Sequence, residues 1–221
     1  VYDPVKGKED ALIEVFVLDD HPVVRQGLRS ILEDEPDINV SGEAATYREL
    51  TGLLEEKRPD VVVLDMTLPD RSGLDILKDL KAQYRDVPIL ILTIHKEEHF
   101  AVRTLKAGAD GFLNKMSVSD ELVLAVRKIA SGGKYISPNV AEILALELGD
   151  RSIGMPHETL SDREFQVLLN IARGMKLQEI AEELSLSPKT VGTYRERLLE
   201  KMNMKTNTEL TYYAVKNGLV E

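Results

Sequence analysis

Along the first 131 residues, short runs of Val, Ile and Leu alternate with stretches whose apolar residues recur every three or four positions. The runs Ile13–Leu18, Ile38–Ser41, Val61–Leu64, Ile89–Thr93 and Gly111–Leu113 predict strands. The stretches near 22–34, 46–57, 73–84, 97–107 and 118–131 predict helices. A strand that is apolar at consecutive positions needs both faces buried, which points to a parallel sheet covered on each side by helices. Five such units predict a doubly wound five-stranded α/β domain, and such sheets carry their site at the carboxyl ends of the strands.

After Ser131 the pattern changes. Gly132-Gly133 ends the fifth helix, a short apolar helix is expected from about Pro138 to Leu148, and Gly149–Glu158 reads as a linker. From Leu160 onward only helical patterns occur. Ser161-x-x-Glu164 is a capping box that starts one helix, which Gly174 ends. A second spans about Leu177–Leu184. Ser187-Pro188 supplies the N-cap and N1 proline of a third that runs to about Asn203. Thr206-x-x-Glu209 caps a fourth, stopped by Gly218. A turn of about three residues joins the second and third, the spacing of a helix-turn-helix. The expected division is therefore 11–131, a linker at 132–158, and a small all-α domain at 159–221.

Composition excludes several chemistries. The chain has no cysteine, so disulfides, thiolate catalysis and Cys-ligated metals are out. No apolar run reaches the length of a membrane span, and a cytoplasmic protein is the default expectation. The net charge of -10 argues against indiscriminate coating of nucleic acid. Its distribution changes that inference: residues 1–131 carry -8, residues 132–158 carry -2, and residues 159–221 are neutral. Ser187–Lys205 holds five bases (Lys189, Arg195, Arg197, Lys201, Lys205) against two acids, a local +3.

In the first domain, Asp19 and Asp20 follow the first strand and Asp65 ends the third. Those strands are neighbours in a doubly wound sheet, so the three carboxylates converge and repel unless a cation neutralises them. Hard oxygen ligands with open positions suit Mg²⁺, and Thr93 and Lys115 at the ends of the fourth and fifth strands supply what an acyl phosphate needs. The segments Val17-Leu18-Asp19-Asp20-His21-Pro22, Val63-Leu64-Asp65-Met66-Thr67-Leu68-Pro69 with Ser72-Gly73, Leu92-Thr93, and Gly111-Phe112-Leu113-Asn114-Lys115 resemble a bacterial response-regulator receiver domain, a flavodoxin-like fold. The resemblance implies that Asp65 accepts a phosphoryl group. Asp20 and Asp65 would bind Mg²⁺, with Asp19 acting through water and Thr67 through its backbone carbonyl. Thr93 and Lys115 would hold phosphate oxygens, and Phe112 would be the aromatic that turns inward on activation. Met116 departs from the proline common after that lysine. His21 and His95 flank the site as loop polar groups, Pro69 and Gly73 shape the loop after Asp65, and Leu105, Gly108 and Ala109 serve either dimerisation or the core.

On the third C-terminal helix, Val191, Leu198 and Met202 form an inward stripe with Tyr194 at its edge. Lys189, Thr193, Glu196 and Glu200 face outward with Arg197 beside them. The run from Leu160-Ser161 through Glu179-Ile180-Ala181 and Leu184-Ser185-Leu186-Ser187 to Lys201-Met202 resembles a LuxR-type DNA-binding domain. Joined to a receiver, it resembles the NarL/FixJ class of response regulators. The resemblance implies phosphate contacts near Lys189, Thr190 and Arg195 and base contacts around Gly192, Thr193 and Glu196. It further implies a sensor histidine kinase as phosphoryl donor, double-stranded operator half-sites as target, and a homodimer when phosphorylated. Two other readings are an aspartyl-phosphate phosphatase, against which Thr67 stands where such enzymes carry a second acid, and an unphosphorylated interaction protein.

Overall fold

A computed structural model describes residues 12–68, 71–93, 98–115, 118–137, 140–142 and 155–220. Strands β1 (Ile13–Leu18), β2 (Ile38–Ala44), β3 (Val61–Asp65), β4 (Ile89–Thr93) and β5 (Gly111–Asn114) alternate with helices α1 (Pro22–Glu33), α2 (Tyr47–Glu56), α3 (Gly73–Gln83), α4 (Glu98–Lys106) and α5 (Val118–Ala130). The strands form one parallel sheet in the order β2-β1-β3-β4-β5. Chain order reverses at β1, so β1 and β3 lie side by side and their carboxyl ends bound the crevice where such sheets carry their sites.

Period-two alternation sorts the strand residues between two cores. Val15, Val17, Val61, Val63, Leu90, Leu92 and Leu113 pack on one face with Leu28 and Leu32 of α1 and Leu122, Ala125, Val126 and Ile129 of α5. Phe16, Leu18, Val62, Leu64, Ile89, Ile91 and Phe112 pack on the other with residues of α2, α3 and α4. Both faces are apolar because both are covered, as the unbroken runs require.

The second core continues into the C-terminal helices α6 (Asp162–Ala172), α7 (Leu177–Glu183), α8 (Pro188–Lys201) and α9 (Asn207–Lys216). Their caps follow the sequence. Ser161 and Glu164 form the capping box of α6, and Ser187 and Thr206 accept from the backbone N–H groups of Thr190 and Glu209. The turn between α7 and α8 is longer than expected, covering residues 184–187, because Ser185 adopts a left-handed conformation (φ 53°) that releases the chain one residue early. Pro156–Thr159 forms a 3-10 turn, where a loose linker was expected. Residues 140–142 are helical; the remainder of the helix expected from Pro138 to Leu148 lies outside the described residues, as do Pro69, His95 and Met116.

Candidate functional site

Asp19 and Asp65 are almost wholly buried, at 1% and 2% exposure, at the adjacent ends of β1 and β3. Lys115, one residue beyond β5, places its ammonium between them, 2.7 Å from Asp19 Oδ2 and 2.9 Å from Asp65 Oδ2. Burial works against the charge on Lys115, but Asp65 and Asp19 outweigh it and raise its pKa. One ammonium does not balance the site. Burial pushes the Asp65 carboxyl up to about 6 against the pull of Lys115, with Asp19 adding repulsion.

Asp20 follows on the rim, its Oδ1 buried and without a hydrogen bond. The Asp65 side chain accepts from the N–H of Thr67 at 3.2 Å through Oδ1, while Oδ2 has only the ion pair. Buried, under-neutralised oxygens converging from two strand ends fit a hard divalent cation such as Mg²⁺. Asp19, Asp20, His21 and Asp65 each offer a ligand atom, all within 4.8 Å of one another. The sequence had assigned His21 to loop contacts because its spacing matches no metal motif. The fold brings it in as the N-cap of α1, where its N–H donates to Asp19 Oδ1 at 2.8 Å.

The loop after Asp65 is held closely. A Cβ at Gly73, the first residue of α3, would lie 2.6 Å from Met66 Cα and 2.9 Å from the Asp65 carbonyl oxygen, so glycine is required there. Thr93, fully buried, ends β4 one register position beyond the Asp65–Leu92 pair. Phe112 is 8% exposed, so its ring lies inside. Ala109 is fully buried and belongs to the core.

On α8, Val191 and Leu198 are fully buried and Met202 nearly so, while Lys189, Thr193, Glu196 and Arg197 are exposed, as the helical wheel predicts. A Cβ at Gly192 would meet nothing within 4 Å, so this turn of backbone is open to close approach. Thr190 is tied to the N-cap, its hydroxyl 2.8 Å from that of Ser187. Arg195 Nε donates to Asn207 Oδ1 at 2.6 Å, bracing α8 against α9. The charge stripe is weaker than the sequence count. Lys201 turns inward to the buried Glu164 carboxylate at 2.6 Å, which leaves about +2 on the outward face.

Residues 15–127 match the response regulator receiver domain and residues 158–214 the luxR family of bacterial regulatory proteins. The response regulator UvrY of Escherichia coli K12 is 39% identical over 94% of this chain and 96% of its own length. The response regulator GacA of Pseudomonas aeruginosa is 37% identical over 95% and 99%. This chain is a response regulator. Among solved structures, the Salmonella typhimurium regulator RcsB superposes with a TM-score of 0.58 at 25% identity over 93% of this chain and 99% of its own. RcsB has also been solved as two dimers bound to two parallel DNAs, with a TM-score of 0.58 at 26% identity over 92% and 98%. The relatives are regulators, so the phosphatase reading falls.

The regulator's two halves meet through contacts that the sequence did not reveal. Arg103 on α4 of the receiver donates to the Leu160 carbonyl at 2.6 Å and to Asp162 Oδ1 at 3.2 Å, and its guanidinium lies 4.5 Å over the Phe165 ring. Lys78 on α3 approaches Asp162 at 3.7 Å. Arg163, itself buried, donates to the Leu68 carbonyl at 2.8 Å, three residues beyond Asp65. Arg163, Gln166 and Asn170 share a face of α6 and are all buried. Nothing local in the sequence marks these polar residues for burial.

Proposed function

We propose that a sensor histidine kinase phosphorylates Asp65 and that this switches dimerisation and sequence-specific binding to double-stranded operator half-sites, so regulating transcription. The observation that carries the reading is a buried Asp65 carboxylate, raised to about 6, with Lys115 beside it and two further acids converging on it. In the transfer, the donor's phosphorus–nitrogen bond breaks, a bond forms between phosphorus and an Asp65 carboxylate oxygen, and the departing imidazole nitrogen takes a proton from solvent. Asp20, Asp65 and the Thr67 carbonyl would hold Mg²⁺, with Asp19 acting through water. Bound there, the ion supplies positive charge against the acids and the phosphoryl oxygens. Lys115 and Thr93 would take those oxygens, and Phe112 would report the shift of Thr93.

The receiver is assigned to residues 11–131, the linker to 132–158 and the DNA-binding domain to 159–221. Phosphate contacts fall to Lys189, Thr190 and Arg195, and base contacts to Gly192, Thr193 and Glu196 with Arg197 beside them. The outward side of α8 is already exposed, which favours a switch in how two copies are arranged over one that unmasks the helix. A face of about +2 binds DNA weakly as a single copy, and linking two copies raises avidity without new contacts. RcsB on DNA is dimeric in the structure cited, which supports the same assignment here. A cytoplasmic site of action belongs to this reading.

The test uses acetyl phosphate with full-length protein in sedimentation and DNA-shift assays. Wild type should dimerise and shift operator DNA; Asp65→Asn and Lys115→Ala should not respond. An unchanged response in Asp65→Asn would overturn the proposal.

A further inference from the structure

His21 stands where it can act as more than a helix cap. Its Nδ1 lies 2.9 Å from Asp20 Oδ1 and 3.4 Å from Asp19 Oδ1. The shorter approach is not an aligned hydrogen bond, because Asp20 Oδ1 is left without a partner. Two ligands about 2.1 Å from one metal lie about 3.0 Å apart at right angles and about 3.4 Å apart in a tetrahedron. The separation from Asp20, a direct ligand in the reading above, matches the right-angle value of an octahedral site. The widest spread among the four ligand atoms, 4.8 Å, exceeds the roughly 4.2 Å between opposite ligands, so closing on an ion needs a contraction of about half an ångström. The His21 ring is 60% exposed and has room to make it.

We propose that His21 gives the acid site a nitrogen ligand, so that it binds borderline first-row dications such as Ni²⁺, Co²⁺ and Zn²⁺ in competition with Mg²⁺. Imidazole suits these ions, whereas Mg²⁺ prefers carboxylate, carbonyl and water. The inference rests on the acids being a cation site, and extends that reading to which ions the site accepts. An all-oxygen site already favours Ni²⁺ over Mg²⁺, so the diagnostic quantity is how far removing the imidazole lowers that preference.

Calorimetric titration of the full-length protein with Mg²⁺ and with Ni²⁺ tests it, using wild type, His21→Gln and Asp20→Asn. We expect His21→Gln to weaken Ni²⁺ at least about tenfold while changing Mg²⁺ by less than about twofold. The Co²⁺ protein should show a hyperfine-shifted imidazole N–H resonance in its proton NMR spectrum that His21→Gln abolishes. Asp20→Asn should weaken both ions. If it weakens neither, the cation-site reading itself fails. If it weakens Mg²⁺ alone, Ni²⁺ binds elsewhere and the role of His21 is overturned. The inference also falls if His21→Gln leaves the ratio of the two affinities unchanged. A rise in both affinities would show that His21 opposes cation binding and would overturn its role as a ligand.

Discussion

The raised pKa of Asp65 has a consequence for stability whose sign follows from its direction. The unfolded carboxyl titrates near 3.8 and the folded one near 6, so the folded protein binds more protons between those values. Metal-free protein should lose stability as pH rises from about 4 to about 6, and then hold level as far as this group is concerned. The penalty is on the order of 1–3 kcal/mol. Asp65→Asn should therefore stabilise the metal-free protein at pH 7 by that order and have little effect below about pH 4, as read by urea unfolding in a chelator; no gain at pH 7 would refute the account. Gly73→Ala should displace the loop carrying Met66 and Thr67 at a cost of about 1–3 kcal/mol and weaken Mg²⁺ binding, measurable by the same unfolding assay and by titration. The acids, Thr93 and Lys115 were legible because each sits at the end of an apolar run, where topology fixes its neighbours. His21 was legible as a polar group flanking the site, but not its 2.9 Å approach to Asp20 Oδ1, which depends on the backbone bend at Asp20 rather than on spacing.

Helix α6 combines a local signal with a long-range one. Its capping box was plain from Ser161 and Glu164, yet the same Glu164 Oε2 also accepts from Lys201, thirty-seven residues on, which no local pattern encodes. Burial would raise the Glu164 pKa, but Lys201 and the Ser161 N–H outweigh it and hold it below the usual carboxylate range. Its stabilisation is thus present above 4.5 and lost as pH falls through the lowered value. Glu164→Ala should cost about 1–2 kcal/mol at neutral pH, and the gap to wild type should close on acidification. On α8, Lys189→Ala should weaken operator binding and lower the magnitude of the salt slope by about one, with Asp65 phosphorylation unaltered. Thr193→Ala should weaken binding without that change in slope. Loss of phosphorylation in either variant would mean these residues serve the fold.

Between the two halves, the shared apolar core is edged by polar groups that water could satisfy on separation. Gln166 Nε2 and Asn170 Nδ2 are buried without hydrogen-bond partners among the described residues, and Asp162 Oδ2 has only the 3.7 Å approach of Lys78; water could satisfy the two amides once the halves part. Arg103→Ala together with Arg163→Ala should enlarge the radius of gyration in small-angle scattering while leaving each half folded by circular dichroism. An unchanged radius would mean that other contacts hold the halves together. None of this was readable in the sequence, where a polar helix face bound for a partner surface looks the same as one bound for solvent.

The bond from Arg163 to the Leu68 carbonyl joins α6, the first helix of the C-terminal half, to the loop that begins at Asp65. A free-energy coupling along that bond has no preferred direction. If phosphorylation changes the affinity for operator DNA by some factor, occupied DNA must change the equilibrium between phosphorylated and unphosphorylated protein by the same factor. Bound to its operator, the regulator would hold its phosphoryl group against a poorer supply of donor than the free protein could, so the target itself becomes part of the signal's memory.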